Sequence, residues 1–191
     1  MRKDECMGLV EEARNFCKQM AEEYGAPPFP HTEFVVKKGQ ELAKKLHADE
    51  SIVIAGCYLM DIELGRALKE GKQKEHVKMG VEIAGPFLDK LNTDSKTKEK
   101  ILNCIAAHHG EVPHTCIESE IVKNADNFRF LDPTGAMISL FYHAKDWSFD
   151  QSIGILRQKL EEKHALVTLD ICKGEAEEDY RLVKAFLDKI V

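Results

Sequence analysis

One carboxylate of this chain sits where carboxylates are costly. Asp61 follows the run SIVIAGCYLM, and the residues three, four and seven positions before it are Tyr58, Cys57 and Ile54, an apolar helical face. An ionised group taken out of water needs a cation, several hydrogen-bond donors or a metal ion, so a structural salt bridge and a functional site both answer the requirement. His108 and His109 pose the same question, because Ile101, Cys104 and Ile105 lie one or two turns earlier on the same side. A lone histidine at a helix end is commonly structural. Two adjacent imidazoles beside buried positions, with His76 opening another segment and Asp126 on a third, offer mixed nitrogen and oxygen donors of the kind that suit transition metals.

The elements that must position these groups read as helices. Apolar residues recur at helical spacing in nearly every segment and no run alternates between hairpin turns, so the expected class is all-α. The first helix covers roughly residues 4–24 and stops before GAPPFP, whose prolines at 27, 28 and 30 hinder continuation; His31 follows this break. A second helix runs through TEFVVKKGQELAKKLH. A third runs through SIVIAGCYLMDIELGRA, the most apolar and therefore the central one, with Asp61 inside it. The loop LKEGKQ leads to a fourth helix through HVKMGVEIAGPFLDKL, bent near Pro86. The fifth, KTKEKILNCIAAHH, carries His108 and His109 in its last turn and ends at Gly110, a left-handed cap. After EVPHTC, a helix through IESEIVKNADNF carries Asp126, and amphipathic stretches near 150–167 and 174–190 complete the bundle; LDPTGAMISLFYHAKDW between them fits no single assignment.

Composition narrows the function classes. With 191 residues and 43% hydrophobic content, the chain can bury one substantial core, and no repeat or low-complexity tract divides it, so a single domain over 1–191 is expected. The net charge of −6 provides no broad attraction to phosphate backbones or anionic lipid, leaving room only for a local basic pocket. Neither polymeric nucleic acid nor a membrane is therefore an expected partner. The start, MRKDECMGLVEEARNFC, is charged throughout, unlike a signal peptide, and the apolar stretches are too short to span a bilayer. Cysteines at 6, 17, 57, 104, 116 and 172 form no CxxC pair, which argues against a disulfide framework or zinc ribbon and for a cytoplasmic setting. Cys57 and Cys104 read as small core residues.

The order of the candidate groups carries a resemblance. His31, then LMDIELGR with Asp61, EHVKMGVEIA with His76, IAAHHGE, and KNADNF with Asp126 resembles the HD-domain superfamily of metal-dependent phosphohydrolases over about residues 31–130, with 131–191 fitting its C-terminal half. The resemblance implies an HD-like helical bundle. In it His31, Asp61 and Asp126 would hold a first metal, and Asp61 would bridge to a second held by His76 and by His108 or His109. Met60 stands where the family has the histidine of its His-Asp doublet. A thioether is a poor ligand for Mg, Mn or Fe(II), so the first site is expected to bind weakly and the complete second set to retain an ion better.

The resemblance further implies one or two divalent ions, among Mn, Fe, Co, Ni or Mg, and a nucleotide or other small phosphate ester as substrate. Asp61 and Asp126 would serve catalysis. Arg66 would contact the substrate phosphate, although a solvated helix-end arginine is an equal reading, and Lys145 and His143 are further candidates for contact. Two other functions stay open: an HD-fold domain that binds nucleotide or protein without turnover, for which Met60 speaks, and a di-iron HD-fold oxygenase, which the missing first-iron ligand disfavours. A homo-oligomer is compatible with all three. His47 and His164 read as exposed, while His114, in the loop after IAAHHGE, is left between loop and site.

Overall fold

The computed structural model describes residues 3–190, with side chains from residue 8 onward, and within them the chain forms ten α-helices and no strand. In chain order these are α1 (Lys3–Tyr24), α2 (Phe29–Leu46), α3 (Glu50–Leu59), α4 (Leu64–Lys69), α5 (His76–Lys90), α6 (Ser95–Ala107), α7 (Ile117–Leu131), α8 (Pro133–His143), α9 (Phe149–Ala165) and α10 (Asp170–Leu187). A short 3-10 turn, Gln73–Glu75, runs directly into α5. The all-α expectation is thus met. The side chain of Cys6 lies outside the described residues. Among those described, no helix is long and apolar enough to cross a membrane. The chain divides into two compact units, Met1–Lys123 and Asn124–Val191, with the division falling inside α7.

In the first unit α3 is central, packing against α1, α2 and α6, while α5 packs against α4 and α6. Its apolar sequence explains the position: Ile52, Val53, Ala55, Cys57 and Leu59 are all buried. Asp49 starts the helix by accepting hydrogen bonds from the backbone N–H groups of Ser51 and Ile52, at 3.0 and 3.4 Å. Gly56 sets the distance to α6, since a Cβ there would stand 2.7 Å from Cys104 Cβ.

Two boundaries differ from those expected, and both concern the candidate site. The third helix does not continue through Arg66. It stops at Leu59, the chain turns through i to i+3 hydrogen bonds (Ile62 N to Leu59 O, 3.2 Å; Leu64 N to Asp61 O, 2.9 Å), and α4 begins at Leu64. Asp61 therefore lies in a turn rather than inside a helix. The cause is tertiary: α4 docks on the corner between α1 and α2, where a Cβ on Gly65 would come within 2.5 Å of Ala26 O and 2.7 Å of Tyr24 Cβ. The second helix, conversely, begins earlier than read, at Phe29, and takes Pro30 and His31 into its first turn. Proline is tolerated there because the first N–H groups of a helix have no intrahelical acceptor.

The second unit holds α8, α9 and α10, which pack against one another in all three pairings. The segment that fitted no single assignment is α8, started by Asp132, whose carboxylate accepts from Thr134 N at 2.6 Å and Gly135 N at 3.2 Å. Ser148 and Gln151 form a reciprocal capping box at the start of α9. Ile153, Leu156, Leu160, Cys172, Ala176, Val183 and Leu187 bury the facing stripes of α9 and α10.

Candidate metal centre

Four side chains of the first unit, Asp61, His76, His108 and His109, each present one donor atom such that all four atoms lie within 4.8 Å of one another. They come from three places in the fold: the turn after α3, the first residue of α5, and the two residues after α6. Asp61 is 3% exposed and His108 fully buried. Asp61 Oδ1 lies 3.3 Å from His76 Nε2 and 3.4 Å from His108 Nε2, and His109 Nε2 lies 3.2 Å from His76 Nε2.

The local folding explains which nitrogen each ring presents. Because α6 ends at Ala107, the carbonyl of Ile105 has no helical N–H four residues on, and His108 Nδ1 donates to it at 2.7 Å. His76 Nδ1 donates to Gln73 O, in the 3-10 turn before α5, at 2.6 Å. In the neutral rings, with the proton at Nδ1, each Nε2 carries a lone pair and does not donate to Asp61. Two imidazole lone pairs and a carboxylate oxygen then face one another across 3.3–3.4 Å. That arrangement is relieved by a proton on a ring or by a metal cation among the three donors. His108 Nε2 is indeed buried with no hydrogen-bond partner.

The donor set fits a divalent transition metal. Two donors each about 2.1 Å from a tetrahedral ion are themselves roughly 3.4 Å apart, close to the separations seen. Three imidazoles and one carboxylate suit Mn, Fe, Co, Ni or Zn better than Mg, which prefers oxygen. Backbone acceptors behind His76 and His108 are the kind of support that keeps ligating rings in orientation.

The other candidates are placed as follows. His31 is buried in the first turn of α2 and is not one of the four grouped donors. Met60 is buried beside Asp61 in the turn. Arg66, on α4, is partly exposed and lies between two carboxylates, its Nε 3.0 Å from Glu63 Oε2 and 3.4 Å from Glu70 Oε1. Asp126 belongs to the second unit, fully buried, with Lys163 Nζ at 2.6 Å from Oδ2 and Arg129 Nη2 at 3.0 Å from Oδ1. Lys145 is exposed at the end of α8, its ammonium 5.9 Å over the Tyr142 ring. His143 stacks on Trp147, with centroids 4.9 Å apart. His164 pairs with Glu177 at 2.9 Å on the surface of the second unit.

Two groups escaped the sequence reading. Glu63, two residues after Asp61, is buried, and burial pushes its carboxyl above the usual range, opposed by Arg66. The signal was an acid inside the apolar string MDIEL. Lys163, the buried partner of Asp126, was hidden among the charges of KLEEKH, where nothing marks one lysine as inward-facing.

The HD domain family model matches residues 29–131. Ribonuclease Y of Finegoldia magna is 35% identical over 103 residues, covering 54% of this chain and 18% of that protein. Ribonuclease Y of Lactobacillus helveticus is 30% identical over 117 residues, covering 61% of this chain and 20% of that protein. The chain thus spans about a fifth of the length of these relatives. Among solved structures, a predicted HD superfamily hydrolase from an uncultured Thermotogales bacterium superposes with a TM-score of 0.69 at 19% identity, covering 100% of this chain and 97% of that one. Bacillus subtilis YpgQ gives 0.71 at 14% identity, covering 97% and 95%, and its complex with ADP gives 0.68 at 15%, covering 95% and 94%. At these identities the structural likeness establishes the fold.

Proposed function

The chain belongs to the HD domain family, and on that premise we propose that it is a metal-dependent phosphohydrolase acting on the phosphate ester of a nucleotide, with one ion held by Asp61, His76, His108 and His109. The observation that carries the proposal is the convergence of four donor atoms within 4.8 Å of one another, with His76 Nε2 and His108 Nε2 both directed at Asp61 Oδ1. A bound divalent ion supplies Lewis acidity towards a phosphoryl oxygen and towards water. Asp61 provides the negative charge that makes the pocket cationophilic, and its burial keeps that charge poorly screened. Ile105 O and Gln73 O hold the rings of His108 and His76 in the ligating tautomer. Arg66, partly exposed beside Glu63 and Glu70, would contact a substrate phosphate, for which a bidentate fork is well shaped.

The nucleotide assignment draws on the ADP complex of the structural neighbour YpgQ. The ribonuclease Y relatives favour a second class, an RNA phosphodiester. The net charge of −6 weighs against it, because affinity for polymeric nucleic acid rests largely on counterion release by basic residues. The test has two parts. Elemental analysis of protein purified without chelator should find about one divalent ion per chain, and Asp61→Ala should remove it; unchanged metal content in that variant would place the ion elsewhere. Hydrolysis of nucleoside mono-, di- and triphosphates, and separately of a labelled RNA oligomer, should be followed with added Mn, Co, Ni and Mg. Release of phosphate from a nucleotide supports the proposal, cleavage of RNA alone would replace its substrate class, and no turnover of either in metal-loaded protein would point to a binding domain.

A further inference from the structure

Both oxygens of the Asp126 carboxylate face cations that the chain itself supplies. Lys163, in the last turn of α9, brings Nζ to 2.6 Å from Oδ2 and donates a hydrogen bond to it, while Arg129, one turn further along α7, holds Nη2 3.0 Å from Oδ1. The Asp126 side chain is fully buried, that of Lys163 is 1% exposed and that of Arg129 8%. All three residues belong to the second unit.

The surrounding frame fixes this meeting. Asn124, two residues before Asp126, clamps the joint between α9 and α10: its Oδ1 accepts from Thr168 N at 3.0 Å and Leu169 N at 3.2 Å, and its Nδ2 donates to Thr168 Oγ1 at 2.9 Å. Lys163 follows Leu156 and Leu160 at helical spacing, and both are buried, so the inward stripe of α9 continues into the stem of the lysine. An ammonium carried inward in this way needs a buried anion, and Asp126 is the one it meets. A divalent ion on the same carboxylate would stand beside two positive groups in surroundings that screen them poorly, so the first metal implied by the HD-domain resemblance does not fit Asp126. Met60, a buried thioether in place of the doublet histidine, withdraws a ligand from that same metal. The two departures point the same way.

We propose that Lys163 stands in for the first metal ion at Asp126. Its ammonium, with the Arg129 guanidinium, is the permanent counter-charge of that carboxylate, and Asp126 holds no metal. The single ion at Asp61 rests on the phosphohydrolase reading above; the ion triad in the second unit does not. An ion gained through Met60→His would accordingly draw its ligands from the first unit. The competing reading is a lysine that yields Asp126 to a metal whenever one is supplied.

The test compares the wild type with Asp126→Asn, Lys163→Met and the double variant, each in chelator and in excess Mn, by thermal unfolding, Mn titration and elemental analysis. In chelator each single variant should lower the Tm by about 10 °C, because each leaves a buried charge without its partner, and the double variant should lose less than the two losses together. Mn should leave that coupling unchanged, and Asp126→Asn should keep the metal content and Mn affinity of the wild type. Additive losses in chelator would show that Asp126 and Lys163 are not a pair. A coupling that vanishes in Mn, or metal lost from Asp126→Asn, would show that the ion displaces Lys163. Either result overturns the proposal. Wild-type protein that takes up no ion would sink the phosphohydrolase reading, while the coupling in chelator would still decide the triad. Should a variant fail to fold, anomalous diffraction from wild-type crystals soaked in Mn decides: manganese at Asp126 overturns the proposal, and manganese confined to the Asp61 cluster bears it out.

Discussion

At the scale of single residues, the site depends on protons being kept away from particular nitrogens. His108 can present Nε2 as a metal donor beside Asp61 because its Nδ1–H donates to Ile105 O, a consequence of where α6 ends. Met60, buried next to Asp61, is the other instructive position. Met60→His replaces a soft thioether by an imidazole suited to Mn, Fe or Co, and metal titration should show stoichiometry rising from about one towards two. Identical titrations of the two proteins would show that Met60 does not occupy a vacated ligand position. In the second unit, burial and then the neighbouring Arg129 hold His143 below its ordinary value. The unfolded chain therefore binds this proton more readily than the folded one, so stability falls as pH drops below about 6.5, the unfolded value. Denaturant unfolding at pH 7 and pH 5.5 should show a smaller loss for His143→Gln than for the wild type, and equal losses would remove His143 as a contributor.

At the scale of elements, the close approach of α3 and α6 is what brings the turn bearing Asp61 near the end of α6. Gly56→Ala would set a methyl group 2.7 Å from Cys104 Cβ and 3.1 Å from Val122 Cγ2, and neither neighbour is a flexible chain end. Overpacking of this kind costs about 1–3 kcal/mol, or a Tm lower by about 2–4 °C per kcal/mol at this chain length. Metal affinity should weaken with it, because displacing α6 displaces His108. A variant with unchanged Tm and affinity would show that the two helices yield without consequence. Sequence periodicity placed α3 correctly as the central helix, but it could not find the end at Leu59. Apolar residues continue through Met60 and Ile62, and the interruption comes from α4 docking on Ala26 and Tyr24, a contact between segments about forty residues apart.

At the scale of the whole molecule, an ion bound to the folded state and not to the unfolded chain adds stability by mass action, about 2.7 kcal/mol at a hundredfold excess over Kd. Chelation should therefore lower the Tm by about 5–10 °C, and re-addition of Mn or Co should restore it. Asp61→Ala should be indifferent to both treatments; a chelator effect of equal size in that variant would mean that the ion acts away from this cluster. The helical class and the membership of the HD domain family were legible in the sequence, because helical spacing and the order of residues along the chain are properties of the chain itself. The tertiary structure decided that Asp61 sits in a turn, which ring nitrogens face it, and that His108 and His109 are both in the cluster. It also decided that Asp126 lies against Lys163 and Arg129 within its own unit. Those facts depend on where helices stop and on which distant side chains meet, and both are set by packing between segments that no local pattern records.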